Sequence, residues 1–104
     1  MIARMWHGRT PRAKADAYGA LLNRTAIPSY RAIRGNLGVH ILRRDDGDVT
    51  HFVTYSLWES LAAIERFAGT PVDQAKYYPE DREYLLEFEP NVTHWEVIGT
   101  ASAT

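Results

Sequence analysis

Two strand-like runs, Leu37 to Arg44 and Thr50 to Trp58, are joined by Asp45-Asp46-Gly47-Asp48. Acidic turn residues with a glycine free to take positive φ make this a β-hairpin. Its registers can be counted from the turn. Pairing Arg43 with His51 puts Leu37, Val39, Ile41, Val53, Tyr55 and Leu57 on one face, with Gly38, His40, Leu42, Phe52, Thr54, Ser56 and Trp58 on the other. A shift of one residue mixes those sets, and the first register is the expected one. Neither of its faces is properly polar. A sheet that is apolar on both sides must be covered on both sides, and this constrains the fold more than any other feature.

The flanking segments supply the cover. Ile2 to His7 alternates bulky side chains and is closed by Gly8, as a strand would be. Thr10-Pro11 reads as an N-cap with proline at the first helical position. Lys14, Tyr18, Leu21, Leu22 and Thr25 then recur at helical spacing until Pro28, and Tyr30 to Arg34 adds a turn before Gly35. Leu61, Ile64, Phe67 and Ala68 form the apolar stripe of a second helix, stopped by Gly69. Pro79 opens a third short helix, with Glu80, Asp81 and Glu83 on its first turn, Tyr84, Leu85 and Phe88 inward and Pro90 at its end. Val92 to Ile98 is a last strand.

The order is β-α-β-β-α-(α)-β. Right-handed crossovers then give an α+β, ferredoxin-like fold, a four-stranded antiparallel sheet in spatial order 4-1-3-2 with helices on one face. The uncovered face calls for a second sheet, most simply from a two-fold-related copy, so a homodimer forming a dimeric α/β barrel is expected. With 104 residues there is room for one domain, 1–99, followed by a small polar tail, 100–104, expected to fray.

Composition excludes several classes of function. There is no cysteine, hence no disulfide, thiolate metal site or cysteine nucleophile. A net charge of −1 argues against a nucleic-acid coat. No apolar run has membrane-spanning length and the start has no signal-peptide pattern, so no membrane partner and a cytoplasmic location are expected. No glycine-rich phosphate loop or GxSxG elbow occurs.

The blocks Arg4-Met5-Trp6-His7-Gly8, Gly35-Asn36-Leu37-Gly38, Tyr55-Ser56-Leu57-Trp58-Glu59-Ser60 and Ile64 to Gly69, with Tyr77-Tyr78-Pro79-Glu80-Asp81 and Val92 to Val97, resemble the antibiotic-biosynthesis-monooxygenase superfamily of dimeric α/β barrels, in an uncharacterised branch. The resemblance spans roughly residues 2 to 98. It implies a cofactor-independent monooxygenase acting on an aromatic or polyketide-like molecule. A dimeric small-molecule-binding or stress-associated protein is the alternative, and haem degradation a third reading. Haem degradation is expected to need a histidine after the tryptophan, and Glu59 to Glu89 contains none.

Four residues are the candidate site. His94, in an aromatic strand, suits a base or oxyanion donor. Trp58 lines the cavity in the resembled family and offers a ring platform with an indole N–H. Tyr78 and Arg82 flank the third helix and suit orientation of a phenolate or carboxylate. Asn36, between two glycines, is expected to make a turn. His7, His51 and His94 fall at one end of the sheet on adjacent strands, with the shared face undecided. No metal and no cofactor are expected, and the ligand is a small aromatic or hydrophobic molecule.

Overall fold

The computed structural model describes residues 1–102; the last two positions of the expected tail lie outside the described residues. Four strands, β1 (Ile2–Pro11), β2 (Asn36–Asp46), β3 (Val49–Trp58) and β4 (Thr93–Glu96), form one antiparallel sheet in the order β2-β3-β1-β4. That is the expected topology, with helical segments packed on one face. No helix is long and apolar enough to cross a membrane.

The hairpin register differs by one residue from the expected one. Arg44, not Arg43, stands opposite His51, and Ile41 stands opposite Thr54. Val39 and Ile41 therefore share the helix-covered face with Phe52, Thr54, Ser56 and Trp58, while Leu42 joins Val53, Tyr55 and Leu57 on the open face. The alternation of β3 explains the choice. Its four even-numbered residues from Phe52 to Trp58 are all buried, and the residues between them are half-exposed. This register lets the apolar residues of β2 meet that buried set.

Strand β1 does not stop at Gly8 but runs on to Pro11, paired along β3 as far as Val49. Gly8 is needed there for space. A Cβ at this position would lie 2.5 Å from the Trp6 ring, which lies across the strand. Thr10 is consequently a buried strand residue rather than an N-cap, and its hydroxyl donates to the Pro11 carbonyl.

The first helical segment begins with a 3₁₀ turn (Arg12–Lys14) and continues as α1 (Ala15–Leu21), a π-helical turn (Leu22–Ala26) and α2 (Ile27–Arg31). Pro28 does not interrupt it. After the wide turn, proline falls in the first turn of α2, where its missing N–H costs nothing. Tyr18, Leu21, Leu22, Ala26 and Tyr30 bury the inner face.

Helix α3 (Leu61–Ala68) is capped by Ser60, whose hydroxyl oxygen accepts the Ala63 N–H at 3.2 Å, and ends at Gly69 with φ +77°. Its buried face is Ala63, Ile64 and Phe67. Leu61, expected in the stripe, is 48% exposed at the first position of the helix. The third helix is a single 3₁₀ stretch (Pro79–Glu83), after which Leu85 is buried and Phe88 is exposed against the Tyr77 ring. Asn36 makes the entry to β2, its amide donating to the carbonyls of Gly38 and Leu57 across the bulge there.

Candidate functional site

The site lies between the helix-covered face of the sheet and the segment that follows α3. Strand β1 contributes Arg4 and Trp6, in phase on the buried face, and β3 contributes Thr54. Tyr18, Leu22, Ala26 and Tyr30 come from the first helical segment, and Lys76, Tyr78 and Asp81 close the outer side. These groups line a cleft of about 350 Å³ counted out to its open mouth, of which only about 20 Å³ is wide enough to seat the centre of a water molecule. The cleft is therefore narrow. A flat ring enters only if Lys76, Tyr78 or Trp6 turns aside; Lys76 is the exposed one of the three, and its move gives up a 3.2 Å bond from its ammonium to the Phe67 carbonyl.

Arg4 is the group that most needs a physical account. It is 2% exposed, and its guanidinium sits over the Phe67 ring at 5.7 Å. One terminal nitrogen donates to the Val72 carbonyl at 2.7 Å and the other to the Gln74 carbonyl at 2.9 Å. Its Nε–H has no acceptor. Among the described residues no carboxylate lies within ion-pair distance of it. Burial consequently pulls the Arg4 pKa below that of an ordinary guanidinium, Tyr30 and Asp73 acting the other way. A buried cation without a counter-ion is costly unless something anionic comes to it.

His94 stands opposite Arg4 across the β1–β4 pair. Its Nε2 is 3.0 Å from an Arg4 nitrogen that is always a donor, so Nε2 accepts and Nδ1 carries the proton toward Asp73 Oδ1 at 3.3 Å. Burial, then Arg4, lowers the imidazole pKa and keeps the ring neutral. The other two histidines of the sequence cluster lie elsewhere. His7 and His51 meet on the open face, Nε2 to Nδ1 at 2.9 Å, and Glu89 holds the far side of His7 at 2.6 Å. His40 shares that open face rather than opposing His51, a consequence of the shifted register.

Of the four candidates, Tyr78 lines the cleft, with its hydroxyl 2.9 Å from Ser29 Oγ. Trp58 is completely enclosed beneath it, packed on Tyr30 and Phe67, and its indole N–H donates to Ser56 Oγ at 2.9 Å. His94 reaches the cleft through Arg4 and not by lining it. Arg82 is exposed on the 3₁₀ turn, one residue from Asp81. The structure thus puts Tyr78 on the cleft with Arg4, to which His94 is bonded, while Trp58 and Arg82 do not line it.

Sequence reasoning passed over Asp81, Arg4, Lys76 and Tyr30 as site residues. Asp81 is 3% exposed, with Oδ1 accepting from Tyr18 at 3.0 Å and Oδ2 from the Tyr78 backbone N–H at 2.7 Å. Burial pushes its carboxyl above the usual carboxylate range. Tyr30 shares a hydrogen bond with Thr54 at 3.1 Å, and Lys76 lies over the rings of Phe67 and Tyr78 at 4.5 and 5.7 Å. One signal was available: Arg4 is a charge in strand phase with Trp6, on a face that must be dry.

The fold is a ferredoxin-like α+β sheet whose helix-covered face carries this cleft with its buried cation. The chain belongs to the antibiotic biosynthesis monooxygenase family, whose model matches residues 1–75. No curated protein matches it. Solved structures do. A Nitrosomonas europaea protein carrying the same family name superposes with TM-score 0.69 at 15% identity, covering 95% of this chain and 100% of that one. The monooxygenase ActVA-Orf6 of Streptomyces coelicolor, in complex with nanaomycin D, gives 0.60 at 18%, covering 99% and 91%. A point mutant of MhuD with two manganese protoporphyrins bound per active site gives 0.64 at 18%, covering 99% and 100%. At these identities the likeness establishes the shared fold.

Proposed function

We propose that this protein is a cofactor-independent monooxygenase that oxidises a phenolic or enolic aromatic, polyketide-like small molecule, and that it works as a homodimer. The observation that carries the reading is the uncompensated Arg4 guanidinium at the base of an aromatic cleft. A phenolate or enolate oxygen placed at its free Nε–H supplies the missing acceptor and the missing negative charge together. Such preorganised stabilisation of an anion is strongest where water is excluded.

Holding the substrate as its anion makes the ring electron-rich enough to reduce O₂ directly. One electron passes to O₂, the resulting radical pair joins at the ring carbon para to the oxygen, and the peroxide formed is protonated. Loss of the ring C–H proton and cleavage of the O–O bond then give the quinone and water. The balance is one phenol and one O₂ to one quinone and one H₂O. The protein binds the anion, orients the ring and keeps bulk water out.

In this reading Arg4 receives the oxyanion and His94 is a positioning residue, since its Nε2 fixes the guanidinium. Tyr78 orients the substrate from the outer wall, Trp58 backs Tyr30 and Phe67, and Arg82, exposed on the 3₁₀ turn, adds positive charge beside Asp81. The binding of nanaomycin D by ActVA-Orf6 supports a fused-ring ligand class. A porphyrin fits less well. The cleft lining has no histidine, and both nitrogens of His94 are engaged.

The test is O₂ uptake by metal-free protein with α-naphthol or anthrone, read also by quinone absorbance. Turnover in wild type and a loss of about 100-fold in Arg4→Gln is the expected result. Saturable naphthol binding without any O₂ consumption would sink the oxygenase reading in favour of a ligand-binding protein, and stoichiometric haem binding with a shifted Soret band would favour the third.

A further inference from the structure

We propose that the Asp81 carboxylate is the proton acceptor of the cleft, taking the hydroxyl proton of the phenol or enol as Arg4 receives the oxyanion. This rests on the oxygenase reading above and names the base which that reading lacks. Asp81 lines the same cleft as Arg4 and is 3% exposed. Each of its oxygens has one donor, Tyr18 on Oδ1 and the Tyr78 N–H on Oδ2. Each oxygen therefore keeps acceptor capacity. Among the described residues no cation lies within ion-pair distance of it, so its negative charge, like the positive charge of Arg4, is uncompensated.

Capping the 3₁₀ turn accounts for the bond to Tyr78 and for nothing else. A neutral amide at this N3 position accepts the N-cap N–H as well, without the cost of enclosing a carboxylate among aromatic rings. The enclosure has a chemical use. Desolvation raises the carboxyl pKa against the opposing pull of its two hydrogen bonds, which brings a carboxylate closer to the strength of a base useful near neutral pH. The groups facing Asp81 leave this role open to it. Tyr18 from α1 is held neutral by burial and by Asp81 itself, and burial likewise raises the phenol pKa of Tyr30 from α2 and of Tyr77 and Tyr78 from the preceding segment. Arg4 from β1 and Lys76 line the cleft as cations, and Glu80 is the neighbouring acid on the same turn.

The proton balance closes on this one group. Asp81 takes the hydroxyl proton, and the phenolate is held at Arg4. After O₂ adds, the protonated Asp81 gives its proton to the peroxide anion. The carboxylate then collects the ring C–H proton as the O–O bond breaks, and returns it to the departing hydroxide as water. Asp81 ends as it began.

Asp81→Asn keeps the shape, and its remaining carbonyl oxygen still accepts a hydrogen bond, but the amide cannot take a proton. With α-naphthol as the probe, anaerobic binding read by tryptophan fluorescence is expected to stay within about twofold of wild type, while kcat for O₂ uptake falls about 100-fold or more. Wild-type activity falls as pH drops and Asp81 becomes protonated. Tyr18→Phe removes a hydrogen bond to the carboxylate and is expected to move this acid limb to higher pH. A wild type that consumes no O₂ ends the oxygenase reading itself. An active wild type with Asp81→Asn within about threefold of it, or with an acid limb unmoved in Tyr18→Phe, overturns only the base assignment. Should Asp81→Asn fail to fold by circular dichroism, the Tyr18→Phe limb decides.

Discussion

At the scale of single residues, Arg4 joins stability to function. Its bonds to the Val72 and Gln74 carbonyls pin the segment after α3 onto the sheet, and they use the planar fork that lysine lacks. Arg4→Lys is therefore expected to keep a positive charge yet lower stability by about 1–3 kcal/mol in denaturant melts. Its partner His94 sets a pH dependence. Burial and Arg4 lower the imidazole pKa in the folded protein from its ordinary 6.5, so the unfolded chain binds the proton first. Stability is then full above the unfolded value and declines as pH falls below it toward the folded one. His94→Gln, which can still accept from Arg4, is expected to flatten this part of the pH–Tm curve; an equal decline in both proteins would remove His94 as the cause. The sequence marked His94 and Tyr78 by their chemistry. It marked Arg4 and Asp81 only as a strand residue and a helix-start acid, because their importance lies in partners sixty to seventy positions away in the chain.

At the scale of elements, punctuation carried much of the legible information. Gly35 before β2, the Ser60 cap and the Gly69 stop all act within a few residues, where backbone chemistry is local. Gly35 has φ +97°, and a Cβ there would lie 2.5 Å from that of Ala63. Gly35→Ala is thus expected to cost more than about 2 kcal/mol, against about 1 kcal/mol for Ser60→Ala, which loses one capping bond. Thermal denaturation of the two variants ranks them, and a milder Gly35→Ala would mean that β2 and α3 can separate freely. The elements misjudged from sequence share a cause. Gly8 looked like a strand end and Pro28 like a helix break. One makes room for the Trp6 ring, and the other is accommodated by a π-turn, and both circumstances depend on the surrounding packing.

At the scale of the molecule, the open sheet face still requires cover. Leu42 and Trp95 are exposed on it, 47% and 59%, beside half-buried Met5, Val53, Tyr55 and Leu57. A second copy packed there is expected to give twice the 11.8 kDa chain mass by light scattering. Val53→Glu at the centre of that face is expected to yield monomer while keeping naphthol binding, since the cleft opens on the other side of the sheet. A wild type that stays monomeric at micromolar concentration would rule out the barrel.

The hairpin, with its flanking segments, was enough to determine the four-stranded sheet, its strand order and the helix layer on one face. Periodicity and turn chemistry are local, and topology follows from them through handedness. The register of that hairpin was left to the tertiary structure. A shift of one residue costs little in the turn, and only the helix layer closing over Phe52, Thr54, Ser56 and Trp58 selects between the two pairings. The same closure enclosed Arg4 and Asp81 along one cleft, with no ion-pair partner for either among the described residues. Desolvation is a property of the surroundings, and no spacing along the chain specifies it.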